Sequence, residues 1–333
     1  MRVLVTGGAG FIGHHVVRHI LKETEWDIVC LDRLDFSGNL NRLADVALEF
    51  TPEIMKRLSI VYHDLRAEIN PQVSTQIGEI DYVLHLAAGS HVDRSIEYPM
   101  EFVLDNVVGT CSILNWARRL PALKRFIYFS TDEVFGPAPE GVSFGEHDRY
   151  NSSNPYSATK AGGEELAVAF ANTYKMPIYI THTMNVFGQR QSPEKFIPLC
   201  INRIEKGEVV SIHSDKSKEV AGSRFYIHAE DVADGLVGLL VFNGYRKDGL
   251  CPKFNLVGEE EIDNLSLAKM IANFLGKELK YEMVDFHSSR PGHDLRYALD
   301  GSLMAMIGWR PTFALSERIE EVISWTLENE KWR

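Results

Sequence analysis

A phenol and an ammonium stand four residues apart in Tyr156-Ser157-Ala158-Thr159-Lys160, directly after Asn154-Pro155. On a helix that spacing puts both groups on one face, where a cation beside a phenol favours its ionised form. Upstream, Ser130-Thr131-Asp132-Glu133 ends the apolar run 126–129. Adjacent carboxyls push their pKa values apart, so one can stay protonated as an acid while the other acts as a base. Along a strand their side chains would point to opposite faces, so both serve one substrate only if the strand has ended and the chain curls. Thr131 would then offer a hydrogen bond to a substrate oxygen. The plainer alternative for this segment is a helix N-cap followed by solvated acids.

Near the start of the chain, Gly8-x-Gly10-x-x-Gly13 lies between a short apolar run (2–6) and a helical pattern carrying Phe11, Ile12, Val16, Val17, Ile20 and Leu21. Strand, glycine turn and helix form the context a dinucleotide requires: glycine lets the backbone approach a pyrophosphate, whose charge sits at the helix N-terminus. Asp32, about twenty residues on, would accept hydrogen bonds from the adenosine ribose and repel a 2′-phosphate. NAD is therefore expected over NADP, although Arg33 beside it is the kind of residue that binds that phosphate. Asp64-Leu65 would meet the adenine, or form a solvated turn. A bound nicotinamide bears on the phenol too. Tyrosine ionises near 10, and acting as a base at neutral pH needs a depression of roughly 4 kcal/mol, which Lys160 and the oxidised nicotinamide would supply jointly.

Positioning these groups takes a layered scaffold. Apolar runs recur at 28–31, 58–62, 82–86, 126–129 and 178–181, separated by segments long enough for a helix. Runs hydrophobic on both faces imply an α/β fold, a doubly wound parallel sheet covered on both sides. The rhythm breaks after about residue 186, and a smaller mixed α/β unit is expected over 187–226 and 251–333, with a return to the first unit over about 227–250. The 333 residues suit two such units. A net charge of −11 disfavours a phosphate-tracking surface and excludes nucleic acid as the expected partner. Stretches such as 235–242 are too short to cross a bilayer. The chain enters a strand-like run at Met1-Arg2-Val3, leaving no room for a signal segment, so a cytoplasmic location is expected. Cys30, Cys111, Cys200 and Cys251 are scattered without metal-ligand spacing; they read as reduced thiols, and no metal is expected.

Thr6-Gly-Gly-Ala-Gly-Phe-Ile-Gly13, Ser-His-Val-Asp-Arg-Ser (90–95), Ser-Thr-Asp-Glu-Val-Phe-Gly (130–136), Tyr156-x3-Lys160, Pro-Glu-Lys (193–195) and Arg-Pro-Gly-His-Asp (290–294) together resemble the nucleotide-sugar 4,6-dehydratases. These belong to the extended short-chain dehydrogenase/reductase superfamily, and the dTDP-glucose 4,6-dehydratases are the most similar. The resemblance implies a Rossmann-type first domain with NAD tightly bound and recycled in each turnover. Its contacts would come from Gly7, Gly8, Gly10, Phe11, Ile12 and Gly13, from Asp32, Asp64 and Leu65, and from Leu86, Ala87, Ala88, Asn106, Tyr156 and Lys160. It further implies a reaction in three stages. Tyr156, assisted by Lys160 and Thr131, takes the 4-hydroxyl proton as hydride leaves C4; Glu133 removes the C5 proton as Asp132 protonates the departing C6 hydroxyl; hydride returns to C6. Substrate contacts would come from Ser90, Thr131 and Asn185, from Lys195, Phe196 and Arg224, and from Asn255, Arg290 and His293, the cationic ones facing the diphosphate.

The chain departs from the family at several places. Gly89 and Asp105 stand where a carboxylate and a threonine usually lie near the nicotinamide, and Phe135 replaces a tyrosine. Ser211 and His213 occupy the segment that packs a proline and a tyrosine against thymine, which predicts relaxed or shifted specificity between dTDP- and UDP-sugars. A nucleotide-sugar 4-epimerase or decarboxylase shares Tyr156, Lys160 and NAD, but the Thr-Asp-Glu triplet argues against it. A catalytically silent NAD-binding protein would have lost these positions. Finally, 100–120 and 160–174 are apolar on more than one stripe, with Leu104, Val108, Val103, Val107, Leu114 and Trp116 in the first. A homodimer through a four-helix bundle is expected.

Overall fold

The computed structural model describes residues 1–35, 37–244, 250–285 and 294–333. The strands run β1 (Arg2–Thr6), β2 (Asp27–Asp32), β3 (Leu58–Tyr62), β4 (Tyr82–His85), β5 (Arg125–Thr131), β6 (Ile178–Thr183), β7 (Asn185–Phe187), β8 (Val210–Ser214), β9 (Ser223–His228), β10 (Lys253–Leu256), β11 (Glu261–Asp263) and β12 (Tyr281–Asp285). Seven of them form one parallel sheet in the order β10-β6-β5-β4-β1-β2-β3. This is the doubly wound, Rossmann-type arrangement expected from the apolar runs. Strands β1, β2, β4, β5 and β6 are buried almost throughout. The edge strand β3 is not: Ile60 and Tyr62 are exposed, because an edge strand is covered less completely than its neighbours.

Helices Phe11–Glu23 and Ala229–Val241 pack on one face through Val16, Val17, Ile20, Val232 and Leu236. The helices Gly109–Ala117 and Pro155–Tyr174 cover the other, where Ile113, Leu114 and Ala167 meet Phe126 and Ile178. A third core joins the helices Phe196–Glu205, Asn264–Leu275 and Leu315–Glu328 to β8. Two small sheets, β11-β9-β7 and β12-β8, complete this smaller unit.

One element differs from the reading of the sequence. The return to the main sheet, expected over about 227–250, runs on to β10, which pairs with β6 at the sheet edge. Only four residues long and opened by Lys253, β10 carries too little apolar pattern to be recognised as a core strand. Among the described residues no helix is long and apolar enough to cross a membrane.

Candidate active site

The sheet ends its fifth strand with chemistry. Thr131 keeps extended backbone, and the next four residues, Asp132–Phe135, turn at once into a short 3-10 helix in which the Glu133 amide donates to the Thr131 hydroxyl oxygen. The strand ends and the chain curls, so both acids face inward. Thr131 Oγ1 donates to Asp132 Oδ1 (2.9 Å), while Asp132 Oδ2 is buried with no hydrogen-bond partner among the described residues. Burial lifts the Asp132 carboxyl to about 6, against the hydrogen bond from Thr131 and the charge of Arg224. Burial, then the charge of Asp132, lifts Glu133 to about 7, with Asn154 opposing.

Asn154 explains how the second element is aimed. Its side-chain carbonyl accepts from the Ser157 amide (2.8 Å) and caps the Pro155–Tyr174 helix, and its Nδ2 donates to Glu133 Oε2 (3.1 Å). One side chain therefore starts the helix carrying Tyr156 and holds the neighbouring acid. The Tyr156 amide is taken by Ser95 Oγ, and its ring packs edge-on against Phe102. Lys160 Nζ donates to the Phe129 carbonyl (2.6 Å) and lies over the Tyr128 ring. Burial draws this ammonium down to about 7, with Glu164 opposing. The expected depression of Tyr156 is not supplied by the chain's own groups. Burial and then the charge of Glu133 push the phenol up, and the Thr131 hydroxyl only partly offsets them. The physical reason is a dry site whose nearest charges are carboxylates.

Below the acids lies a buried ionic network. Glu164, one turn beyond Lys160 and wholly buried, accepts from Ser130 Oγ (2.8 Å), Lys253 Nζ (2.8 Å), His182 Nε2 (3.2 Å) and Tyr150 Oη. Burial alone would raise Glu164, but His182 and Lys253 hold it well below the carboxylate range. Ser130, His182 and Asn255 are register partners across β5, β6 and β10.

A cleft of about 450 Å³ opens along the carboxyl ends of β1, β2 and β4. Gly7, Gly10, Phe11, Ile12 and Gly13 line it from the first turn, Asp32 from β2, Asp64 and Leu65 after β3, and Leu86, Ala87 and Ala88 after β4; Tyr156, Lys160, Ser90 and Lys195 close it. The first turn is a cradle that side chains would fill. A Cβ on Gly13 would lie 2.1 Å from the Gly7 carbonyl oxygen, and Gly7 itself has a φ of +70°. Asp32 is preset, its Oδ2 accepting from the Ala9 amide and its Oδ1 from that of Leu34.

Other expected residues lie elsewhere. Gly8 packs inward on Cys30. Asn106 is buried behind the cleft, gripping both backbone groups of Gly89 and the Thr159 hydroxyl, so it shapes the wall without lining it. Asn255 is not brought to the site, because its amide is spent on His182 and the carbonyls of Phe144 and Asp300. Arg224 lies near the acids, but its guanidinium donates to the carbonyls of Ser223, Asp294 and Leu295 and stacks over Tyr297. Asn185 is exposed on β7, Phe196 packs into the third core, and Ser211 and His213 sit on β8, where Ser211 Oγ donates to Glu282. Arg290 and His293 lie outside the described residues. Missed altogether were Asn154, legible only as a cap, and Glu164, whose i+4 spacing from Lys160 was the available signal.

The model of the NAD dependent epimerase/dehydratase family matches residues 3–246. The dTDP-glucose 4,6-dehydratase of Salmonella typhimurium is 36% identical over 357 residues, covering 100% of this chain and 94% of its own length. The low-salt glycan biosynthesis protein Agl12 of Haloferax volcanii is 35% identical, covering 99% and 100%. Among solved structures, DesIV of Streptomyces venezuelae, a dTDP-glucose 4,6-dehydratase with NAD bound, superposes with a TM-score of 0.87 at 32% identity, covering 100% and 98%. The UDP-glucose 4-epimerase of Thermus thermophilus with NAD gives 0.86 at 25%, covering 99% and 100%. Glycine cradle, Tyr156-Lys160 helix and full-length likeness agree: the chain belongs to the NAD dependent epimerase/dehydratase family.

Proposed function

We propose that this chain is an NAD-dependent nucleotide-sugar 4,6-dehydratase, converting a nucleoside-diphosphate hexose to its 4-keto-6-deoxy product. The observation that carries this reading is the Asp132–Glu133 pair, the first buried and the second half-buried, curled beneath Thr131 beside Tyr156. An epimerase needs only to remove and return hydride at C4, whereas eliminating water across C5 and C6 needs an acid and a base of this kind. The glycine cradle and preset Asp32 fit NAD, which when bound accepts a hydride from the sugar and later returns it.

The chain's own groups do the rest. Tyr156 takes the 4-hydroxyl proton; its phenol is raised in this dry site, and a bound oxidised nicotinamide would supply the positive charge that lowers it. Thr131 orients the same oxygen. Once C4 is a ketone the C5 proton is acidic, and the ionised form of Glu133, made more basic by burial and by Asp132, removes it. Asp132, buried against Thr131, is assigned the proton that leaves with the C6 hydroxyl as water; this role requires substrate to draw the shared proton onto Asp132, because without it Glu133, near 7, holds a proton more tightly than Asp132, near 6. Ser90 and Lys195 border the sugar and diphosphate.

The functional unit in this reading is a homodimer, with the 100–120 and 160–174 helices of each copy forming a four-helix bundle. Its domains are 1–186 with a return segment, and a nucleotide-sugar unit built from 187–226 and the C-terminal residues. Incubating purified protein with nucleotide-activated hexoses tests the function. A 4-keto-6-deoxy product, read by its alkali-sensitive absorbance, is expected; a product epimeric at C4 with its 6-hydroxyl intact would overturn it.

A further inference from the structure

Arg33 follows the ribose-binding carboxylate directly, at a position suited to a 2′-phosphate. In this chain it is already engaged. Asp105 receives both terminal nitrogens of its guanidinium, Nη1 to Oδ1 at 2.5 Å and Nη2 to Oδ2 at 2.8 Å, a bidentate pair. Asp35 binds its Nε and Asp64 stands 3.7 Å away. Asp105 is the best sheltered of these three acids, with 10% of its side chain exposed against 41% and 35%, so its attraction is the least screened.

Two features place Asp105 there. Residues Val103–Val108 form a π-helical turn, between the Pro99–Phe102 helix and the Gly109–Ala117 helix. This wider turn sends Asp105 into the cleft while Asn106 grips Gly89. Gly89 in turn leaves the room. A Cβ there would come within 3.1 Å of the Phe102 ring and 3.3 Å of Asp105 Oδ2, so a side chain at this position would crowd the carboxylate.

We infer that Asp105 is a specificity-determining residue, which by clamping Arg33 denies the 2′-phosphate of NADP its cation and so acts with Asp32 in selecting NAD. This rests on the dinucleotide site proposed above. The pairing also spans the cleft from the end of β2 to the π-helical turn, so Arg33 is fixed before any cofactor arrives.

Calorimetric titration of cofactor-stripped protein with NAD and with NADP tests it, using Asp105→Asn, Asp105→Thr and Arg33→Ala/Asp105→Asn. In either single variant the NADP dissociation constant should fall about tenfold relative to that for NAD, as a released guanidinium meets the phosphate. The double variant should lose this gain. An NADP-to-NAD ratio within about threefold of wild type in both single variants overturns the inference, as does a gain that survives without Arg33. Failure of the unaltered protein to bind either dinucleotide would sink the cofactor site itself, a distinguishable result.

Discussion

At Glu133 the pKa has consequences for both chemistry and stability. Burial, then Asp132, raises it from 4.5 to about 7, so the native state favours the protonated form. Stability from such a group is present below its unfolded pKa and lost as pH rises through the folded one, here between about 4.5 and 7. Glu133→Gln removes that loss. Its unfolding free energy should exceed that of the unaltered protein at pH 8 by an amount on the order of 1–2 kcal/mol for a half-buried group, with the difference vanishing near pH 4.5. The same variant should still oxidise C4, accumulating bound NADH, yet fail to exchange solvent deuterium into C5. Exchange at the unaltered rate, followed by mass spectrometry, would remove Glu133 from the base role.

Among the elements, the 20-residue helix from Pro155 depends on Asn154 twice, as cap and as partner of Glu133. Asn154→Ala should cost about 1 kcal/mol of stability, and kcat should fall more than KM rises, because the acid pair and Tyr156 lose their shared reference point. A parallel fall in stability alone, with kcat intact, would reduce Asn154 to a cap. This double duty shows what a linear reading can reach. Tyr156 and Lys160 were legible because helical spacing is fixed, and β1 to β6 because buried strands are apolar on both faces. Asn154 was legible only as a helix start, since its bond to Glu133 requires the curl after β5. Nothing local marks the π-helical turn at Val103–Val108, so the meeting of Asp105 with Arg33 was invisible. Asn255 misled for a related reason: its strand, β10, was assigned to the wrong unit. Strand β8 carries a further prediction. If Ser211 and His213 face the base, as the resemblance implies, kcat/KM for a UDP-hexose should approach or exceed that for the matching dTDP-hexose. A dTDP preference above about 100-fold would refute it.

For the whole molecule, the apolar side chains left outside are informative. Met100 is 66% exposed, and Leu104, Val108 and Tyr174 are also uncovered, on the two helices packed beside the cleft. Exposed apolar side chains on helices that pack together suit burial against a second copy. Light scattering at micromolar concentration should therefore give the mass of two chains, and a Leu104→Glu/Val108→Glu variant should run as a monomer. A single-chain mass for the unaltered protein would exclude the bundle.

The strand β10 bears on how the chain folds. Lys253, which helps to neutralise the buried Glu164, is separated from it by 89 positions, and until it arrives β6 is an open sheet edge above a carboxylate short of one cation. Burying such a charge unpaired is costly, so the ground beneath Ser130 and Thr131 is not fully neutralised until β10 is in place. At about 5–20 residues per second during synthesis, the intervening stretch takes several seconds to emerge. Throughout that interval the nascent chain presents an unpaired β6 edge, the kind of surface that holding chaperones shield. Catalytic competence therefore depends on a long-range contact: the ground beneath Ser130 and Thr131 is complete only when β10 has joined β6.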